Sequence, residues 1–358
     1  MGQLLSDESI GTKTARRANA IRIGLCGIGR TGFGRVRREI TPLPECLIAA
    51  GFDVIRERAE QLAEACGSSI HDSFESLLAA DDVDVVVIAT RSHQHAEMAI
   101  RALDAGKHVV VEKPMATTLA GADAMIAAAS RSRGNLIVRH NRRFDPAFVA
   151  ARRAVESGTL GTLHLVKVRH HEYVRRCDWQ TLREFGGGQL LNWGPHLIDW
   201  ALQLVGTPAQ DVWSDCRRVA AAGDAEDHVK LLIRGASGCV ADVEISGATA
   251  IDEPQFHLSG SRGSLVIQGD TCRLKYLKDE NTGRTSAATE TPDQSQRPRS
   301  AEGLEWIEQA EAVPPAHPGQ FWVEVYRHLR LGVPFPITLQ QARETMRVIE
   351  LTRPTAAL

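Results

Sequence analysis

The chain reads as two units in succession, a doubly wound parallel α/β sheet followed by an α+β unit built on an open, mainly antiparallel β-sheet. Three observations predict this. Between Ile21 and Arg139 short apolar runs alternate with helix-length amphipathic stretches, the pattern of parallel strands joined by helical crossovers. Beyond Pro146 the apolar period shortens to two over several runs separated by turn signals, as in antiparallel strands. A length of 358 residues also exceeds the usual ~100–200 of one domain.

The elements follow in order. Ile21–Cys26 is the first strand candidate, and after a glycine-rich turn Phe33, Val36 and Ile40 recur at helical spacing. Leu47–Phe52 is the second strand; Ile55, Ala59, Leu62 and Cys66 then mark a helix that Gly67 stops. Val85–Ile88 is continuously apolar, as a strand covered on both faces must be. A helix from His95 to Leu103, a strand at Val109–Val111, an alanine-rich helix after Thr118 and a strand at Leu136–Val138 complete the first unit.

In the second unit a helix up to Gly158 precedes alternating runs at Leu163–Tyr173, Val212–Val219, Val229–Ile233 and Val240–Ile245. Gly260-Ser261-Arg262-Gly263 turns between two more strands, and helices at Phe321–Leu331 and Leu339–Leu351 close the chain. The expected division is a polar, flexible extension over 1–20, a parallel-sheet unit over 21–140 and an α+β unit over 141–336. The last carries an exposed polar loop over 278–303, and a final helix over 337–358 is free to pack back on the first unit.

A 43% apolar and 24% charged composition fits a globular chain, and a formal net charge of -2 gives no pull toward nucleic acid or anionic membrane. The seven cysteines are widely spaced without a C-x-x-C pair, so neither a disulfide framework nor a zinc ribbon is expected, and a reducing cytoplasm is the natural compartment. No apolar run is long enough to span a bilayer. Arg16-Arg17 lacks the apolar stretch that an export signal needs after it.

Chemistry concentrates in a few places. Gly27-Ile28-Gly29-Arg30-Thr31-Gly32 is a G-x-G-x-x-G placed directly after a strand and opening a helix. Its glycines allow a tight turn, close approach of a pyrophosphate and close helix packing, as in Rossmann-type dinucleotide sites. Asp53 ends the next strand, where a carboxylate accepts from the ribose 2′-hydroxyl of NAD and repels the 2′-phosphate of NADP. Asp53 also suits the plain role of helix cap, and the nearby Arg56 and Arg58 leave NADP use open.

Further along stand Glu112-Lys113-Pro114 and a glycine run leading through Asn192 to His196 and Asp199. Together with Ala89-Thr90, His95-Ala96-Glu97, Ala105–Val109, Arg143-Phe144 and Pro146, these stretches resemble the Gfo/Idh/MocA family of glucose–fructose oxidoreductases and inositol dehydrogenases. The resemblance runs along essentially the whole chain after Ile21. It implies an NAD(P)-dependent oxidoreductase of sugars, polyols or their derivatives, with the cofactor at the strand C-termini and a homodimer or homotetramer closing the open sheet. Lys113 matches the family's active-site lysine and His196 its catalytic histidine. Glu112 and Thr90 match positions at the nicotinamide end, with Arg91 and His95 at the same edge. Two departures stand out: Asn192 lies where many members carry Asp, and Arg91-Ser92 where Pro-Asn is common.

Oxidising a secondary alcohol removes a hydride and a proton. His196, with an ordinary pKa near 6.5, is the expected general base, and Lys113 the group that holds the reacting oxygen and can share the proton. Asn192 can orient substrate or imidazole but carries no charge, which predicts a lower His196 pKa than beside an aspartate. Arg143, His170 and Trp179 are further expected substrate contacts, whereas Asp199 is expected to be structural. His170-His171-Glu172 looks like a metal cluster, but alternate strand residues face opposite ways, and no metal is expected. Two other functions remain open: a redox-neutral enzyme that retains NAD and cleaves, eliminates or epimerises through a transient keto-sugar, and a non-catalytic NAD-binding regulator.

Overall fold

The computed structural model describes residues 19–278 and 304–352. The expected extension over 1–20 falls, except for its last two residues, outside the described residues, as does all but Lys278 of the loop expected over 278–303.

Six strands, β1 (Ile21–Cys26), β2 (Cys46–Phe52), β3 (Ser69–Ile70), β4 (Val85–Ile88), β5 (His108–Val111) and β6 (Leu136–Val138), form one parallel sheet in the order 3-2-1-4-5-6. The order reverses between β1 and β4, so a crevice opens beyond their carboxyl ends. All four residues of β4 are buried, as its apolar run required. Helices Arg56–Cys66, His95–Asp104 and Leu119–Arg131 make the crossovers. The first stops at Gly67, whose φ of 70° suits a residue without a Cβ, and the last starts at Thr118, whose hydroxyl accepts from the Gly121 N–H. Phe74–Leu78, opened by a reciprocal Ser73/Ser76 cap, is a short helix that the apolar pattern did not signal.

The second sheet has eight strands, β7 (Leu163–His171), β8 (Asp211–Arg217), β9 (His228–Arg234), β10 (Val240–Ser246), β11 (Phe256–Gly260), β12 (Gly263–Gln268), β13 (Thr271–Leu277) and β14 (Trp306–Ala312), ordered 14-13-12-11-7-10-9-8. Every neighbouring pair is antiparallel except β7 with β10. Alternation decides its faces. Val166, Val168, Leu231, Val243, Phe256 and Leu258 point into a core with Phe148 and Trp200, whose rings stack with centroids 5.8 Å apart. On the other face Arg169, Lys230, Asp242 and Glu244 join adjacent strands by ion pairs of 2.7–2.8 Å.

Helix Gly194–Val205 packs on the inner face of this sheet against β7 and β10. Helix Leu339–Thr352 lies between the units, touching Leu119–Arg131, Gly194–Val205 and β8. Helix Gln320–Leu331, expected with the second unit, instead covers the first sheet. Its Phe321, Trp322 and Val325 join Ile23, Leu25 and Val87 in one apolar cluster, because spacings of three and four residues line up one face.

Candidate active site

The glycine turn closes tightly on its own sheet. Gly27 has a φ of 85°, and a Cβ there would stand 2.7 Å from the Ala89 backbone; one on Gly32 would stand 2.1 Å from the Gly27 carbonyl. Gly29 differs: a Cβ would meet nothing within 4 Å. The protein's packing therefore requires the outer glycines, while the middle one keeps clear a space in front of the turn. A dinucleotide's pyrophosphate needs that room. The turn continues through a π-helical stretch, Gly32–Val36, before Arg37–Ile40 becomes α-helical. Asp53 accepts from the Ile28 N–H at 2.6 Å and from the Ile55 N–H at 2.9 Å. Its carboxylate thus ties the glycine turn to the end of β2 and to Ile55 just before the next helix, with Arg58 3.6 Å from one oxygen. The helix itself has no side-chain cap, so the plain capping role is not the one Asp53 fills.

Lys113 follows β5 by two residues and projects across the crevice. Its Nζ donates to the Asn192 carbonyl at 2.7 Å and to Asn192 Oδ1 at 3.1 Å. Asn192 ends helix Gln189–Asn192, and His196 lies in the first turn of the following helix. Lys113, Asn192 and His196 line one cavity of about 290 Å³ between the two units. Burial pushes the Lys113 ammonium down to about 8; Glu112 works against this, and Arg35, Arg142 and Arg139 reinforce it. His196 is 3% exposed, and its Nδ1 has no hydrogen-bond partner among the described residues. Burial, then the nearby Lys113 and Arg142 charges, holds its pKa well below the ordinary histidine value.

A hydrogen-bond chain runs along one wall of the cavity. Arg30 donates to Gln180 Oε1 at 2.7 Å, and Gln180 Nε2 donates to Asn192 Oδ1 at 3.4 Å. The glycine turn is thereby linked to the partner of Lys113. Asn192 faces the lysine, not the imidazole, so an aspartate here would act on the ammonium first.

Several expected residues stand elsewhere. Glu112 lines the cavity but is committed to Arg139 at 2.6 Å, and Arg139 also pairs with Glu39, which accepts from Trp322 Nε1 at 2.9 Å. Thr90 donates its hydroxyl to Met98 Sδ, and Arg91 lies 4.1 Å over the Phe185 ring. His95 is buried with its ring nitrogens 2.7 Å from the Pro114 carbonyl and 3.3 Å from that of Thr90. It braces the two loops that frame the cavity and is not part of the lining.

Arg143, expected on substrate, is buried in a two-nitrogen ion pair with Asp199. That pair gives Asp199 its structural place. The short turn Asn141–Phe144 sends Arg142 to the cavity instead, its guanidinium 4.4 Å over the Trp193 ring. Trp179 is half-buried outside the cavity lining; Trp193 is the indole that lines it, stacked on His170 with centroids 3.5 Å apart. His170 approaches Glu172 at 3.8 Å, while His171 pairs with Glu244 on the other face. Among the described residues no group of side chains could hold a metal ion, and no helix is long and apolar enough to cross a membrane. Arg35, Arg142, Gln180 and Trp193 were not singled out by sequence; adjacency to Arg143, Trp179 and Asn192 was the one signal for three of them.

Comparison with known proteins identifies the family of this fold. Residues 21–140 match the model of the oxidoreductase family with an NAD-binding Rossmann fold, and residues 148–266 match the GFO/IDH/MocA C-terminal domain. A myo-inositol 2-dehydrogenase of Thermotoga maritima is 26% identical over 280 residues, covering 74% of this chain and 80% of its own. A 1-carboxy-3-chloro-3,4-dihydroxycyclohexa-1,5-diene dehydrogenase of Comamonas testosteroni is 32% identical over 230 residues, covering 63% and 58%. The crystal structure of an NAD-binding protein from Listeria innocua shares the fold with a TM-score of 0.77 at 24% identity, covering 93% of each chain. With its parallel NAD-binding sheet, its second, mostly antiparallel sheet and both matched regions, the chain belongs to the Gfo/Idh/MocA oxidoreductase family.

Proposed function

We propose that this chain is an NAD-dependent dehydrogenase that interconverts a secondary hydroxyl and its ketone on a sugar, cyclitol or related ring. The convergence of Lys113 from the first unit with Asn192 and His196 from the second on one cavity carries this reading. When bound, the nicotinamide supplies the hydride acceptor or donor. The glycine turn would hold the pyrophosphate and Asp53 the ribose, its negative charge favouring NAD over NADP.

The remaining task is the proton. A group exchanges protons best when its pKa lies near the working pH. Lys113, at about 8, meets that condition, and His196, far below, does not. The expected roles therefore exchange: Lys113 takes the hydroxyl proton during oxidation and returns it during reduction. His196 stays neutral and orients the same hydroxyl through the nitrogen that is not buried. Asn192 aims the amine through its two oxygens. Both sequence relatives are named as dehydrogenases of hydroxylated rings, which supports a ring alcohol as substrate.

Absorbance at 340 nm with NAD or NADP and a panel of sugars and cyclitols tests the proposal. Steady NADH accumulation, faster than with NADP, is the expected result. Consumption of a panel member without NADH accumulation would instead mark a redox-neutral enzyme. NAD binding without turnover of any member would mark a regulator.

A further inference from the structure

The cavity shared by Lys113 and His196 holds more positive charge than its carboxylates balance. Arg30, Arg35, Lys113, Arg142 and Arg176 all line it. Arg176 is matched by Asp178 through two bonds of 3.0 Å, and Arg139, directly behind, is matched by Glu112 and Glu39. The others are not matched in this way. Arg30 meets the neutral Gln180 and Lys113 the neutral Asn192. The Arg35 side chain has neither a hydrogen bond nor an ion pair among the described residues, though it lines the cavity. Arg142 reaches Asp145 through one nitrogen at 3.2 Å, and its other guanidinium nitrogens have no hydrogen-bond partner there. Against these cations stands Glu172, whose side chain is 39% exposed and lies 3.8 Å from His170.

Arg30 and Arg35 belong to the glycine turn and the helical turn after it, so the two negative charges of a pyrophosphate can account for them. Lys113 and Arg142 remain on the side where a substrate must sit. Arg142 is held by Trp193, which stacks in turn on His170. A guanidinium fixed over an indole with its other nitrogens open to a cavity is suited to a planar, two-oxygen anion. A neutral polyol would leave that partly desolvated charge with its single Asp145 contact as the one carboxylate against it.

We propose that the substrate is a sugar acid or carboxylated cyclitol, whose carboxylate pairs with Arg142 while its reacting hydroxyl meets Lys113 and His196. This rests on the reading given under Proposed function. Burial first, and then nearby like charge, pushes Lys113, His170 and His196 toward their uncharged forms, with Arg142 among the smaller causes every time.

Calorimetric titration of the NAD-loaded protein tests it. The probes are D-glucuronate and D-galacturonate, their methyl esters, the parent hexoses, myo-inositol and glucose 6-phosphate. At least one uronate should bind about tenfold or more tighter than its parent and its ester, the size expected of one charge-assisted hydrogen-bonded pair. That advantage should shrink with added salt and fall about tenfold in Arg142→Gln, with part of it kept in Arg142→Lys. Acids that bind no tighter than their parents, or an advantage that survives in Arg142→Gln, overturn the proposal, and stronger binding of glucose 6-phosphate overturns the carboxylate assignment. The wild-type panel keeps the test decisive if a variant fails to fold. NADH formed equally well from neutral hexoses defeats this inference alone, whereas tight uronate binding without oxidation defeats the dehydrogenase reading and leaves the anion site standing.

Discussion

Glu112 and Lys113 are neighbours in sequence, as are Arg142 and Arg143, yet within each pair the two side chains meet different fates. Glu112 and Arg143 are locked by opposite charge, to Arg139 and to Asp199. Lys113 and Arg142 face the cavity, with neutral oxygens and a single carboxylate contact respectively. The positions of Arg139 and Asp199 decide which side chain of each pair is locked, so one residue of each pair serves the architecture and the other is left for a ligand. The lesson is that a buried charge with matched partners holds the fold together, and a half-buried charge short of them is left available to a ligand.

Substitutions should separate the two classes. The largest expected effect is on activity: Lys113→Met should lower kcat/KM for alcohol oxidation by about a thousandfold or more, the combined scale of lost proton transfer and lost oxyanion stabilisation. Its urea-unfolding midpoint should stay close to that of the parent, because Lys113 makes no ion pair with a carboxylate among the described residues. Asp199→Ala should do the reverse, reducing unfolding free energy by about 3–5 kcal/mol through the orphaned Arg143 charge; a variant as stable as the parent would break the comparison.

Smaller effects sharpen it. Below its pKa of about 8 Lys113 is a cation without a free lone pair, and above it a neutral base. Oxidation kcat/KM should therefore climb as pH rises through about 8 and level off beyond. Asn192→Asp would place an anion beside the ammonium and favour its charged form, moving that rise upward by about one pH unit, or about 1.4 kcal/mol. An unchanged profile would mean that another group titrates. Smallest of all, Asp53→Asn should relax the preference for NAD over NADP by about tenfold in kcat/KM, as repulsion of the 2′-phosphate is removed.

Much of this organisation was legible in the residues. The glycine turn and Asp53 are patterns readable from spacing, and Glu112-Lys113-Pro114 and the segment from Gly186 to Asp199 were legible through the family resemblance. Strand β1 falls where its apolar run placed it, and Gly67 ends its helix as expected. What escaped depends on contacts distant in sequence. Nothing local distinguishes Arg142 from Arg143, since the Asn141–Phe144 turn and the position of Asp199 decide which one is buried. Trp193 rather than Trp179 reaches the cavity because helix Gln189–Asn192 carries it under His170. Strand β14 pairs along β13 although its side chains are mostly exposed, so no apolar alternation announces it. The return of Gln320–Leu331 to the first sheet is likewise fixed by the face that Phe321 and Trp322 find there.

The central claim is that Lys113 and His196 act on one hydroxyl from opposite units of the fold. A double-mutant cycle on kcat/KM, with Lys113→Met, His196→Asn and the combined variant measured on the best substrate of the panel, addresses it most directly. Groups that act as one device are strongly non-additive. The double variant should therefore be within about tenfold of the worse single variant. Losses that simply multiply, or a His196→Asn variant as active as the parent, would contradict the account.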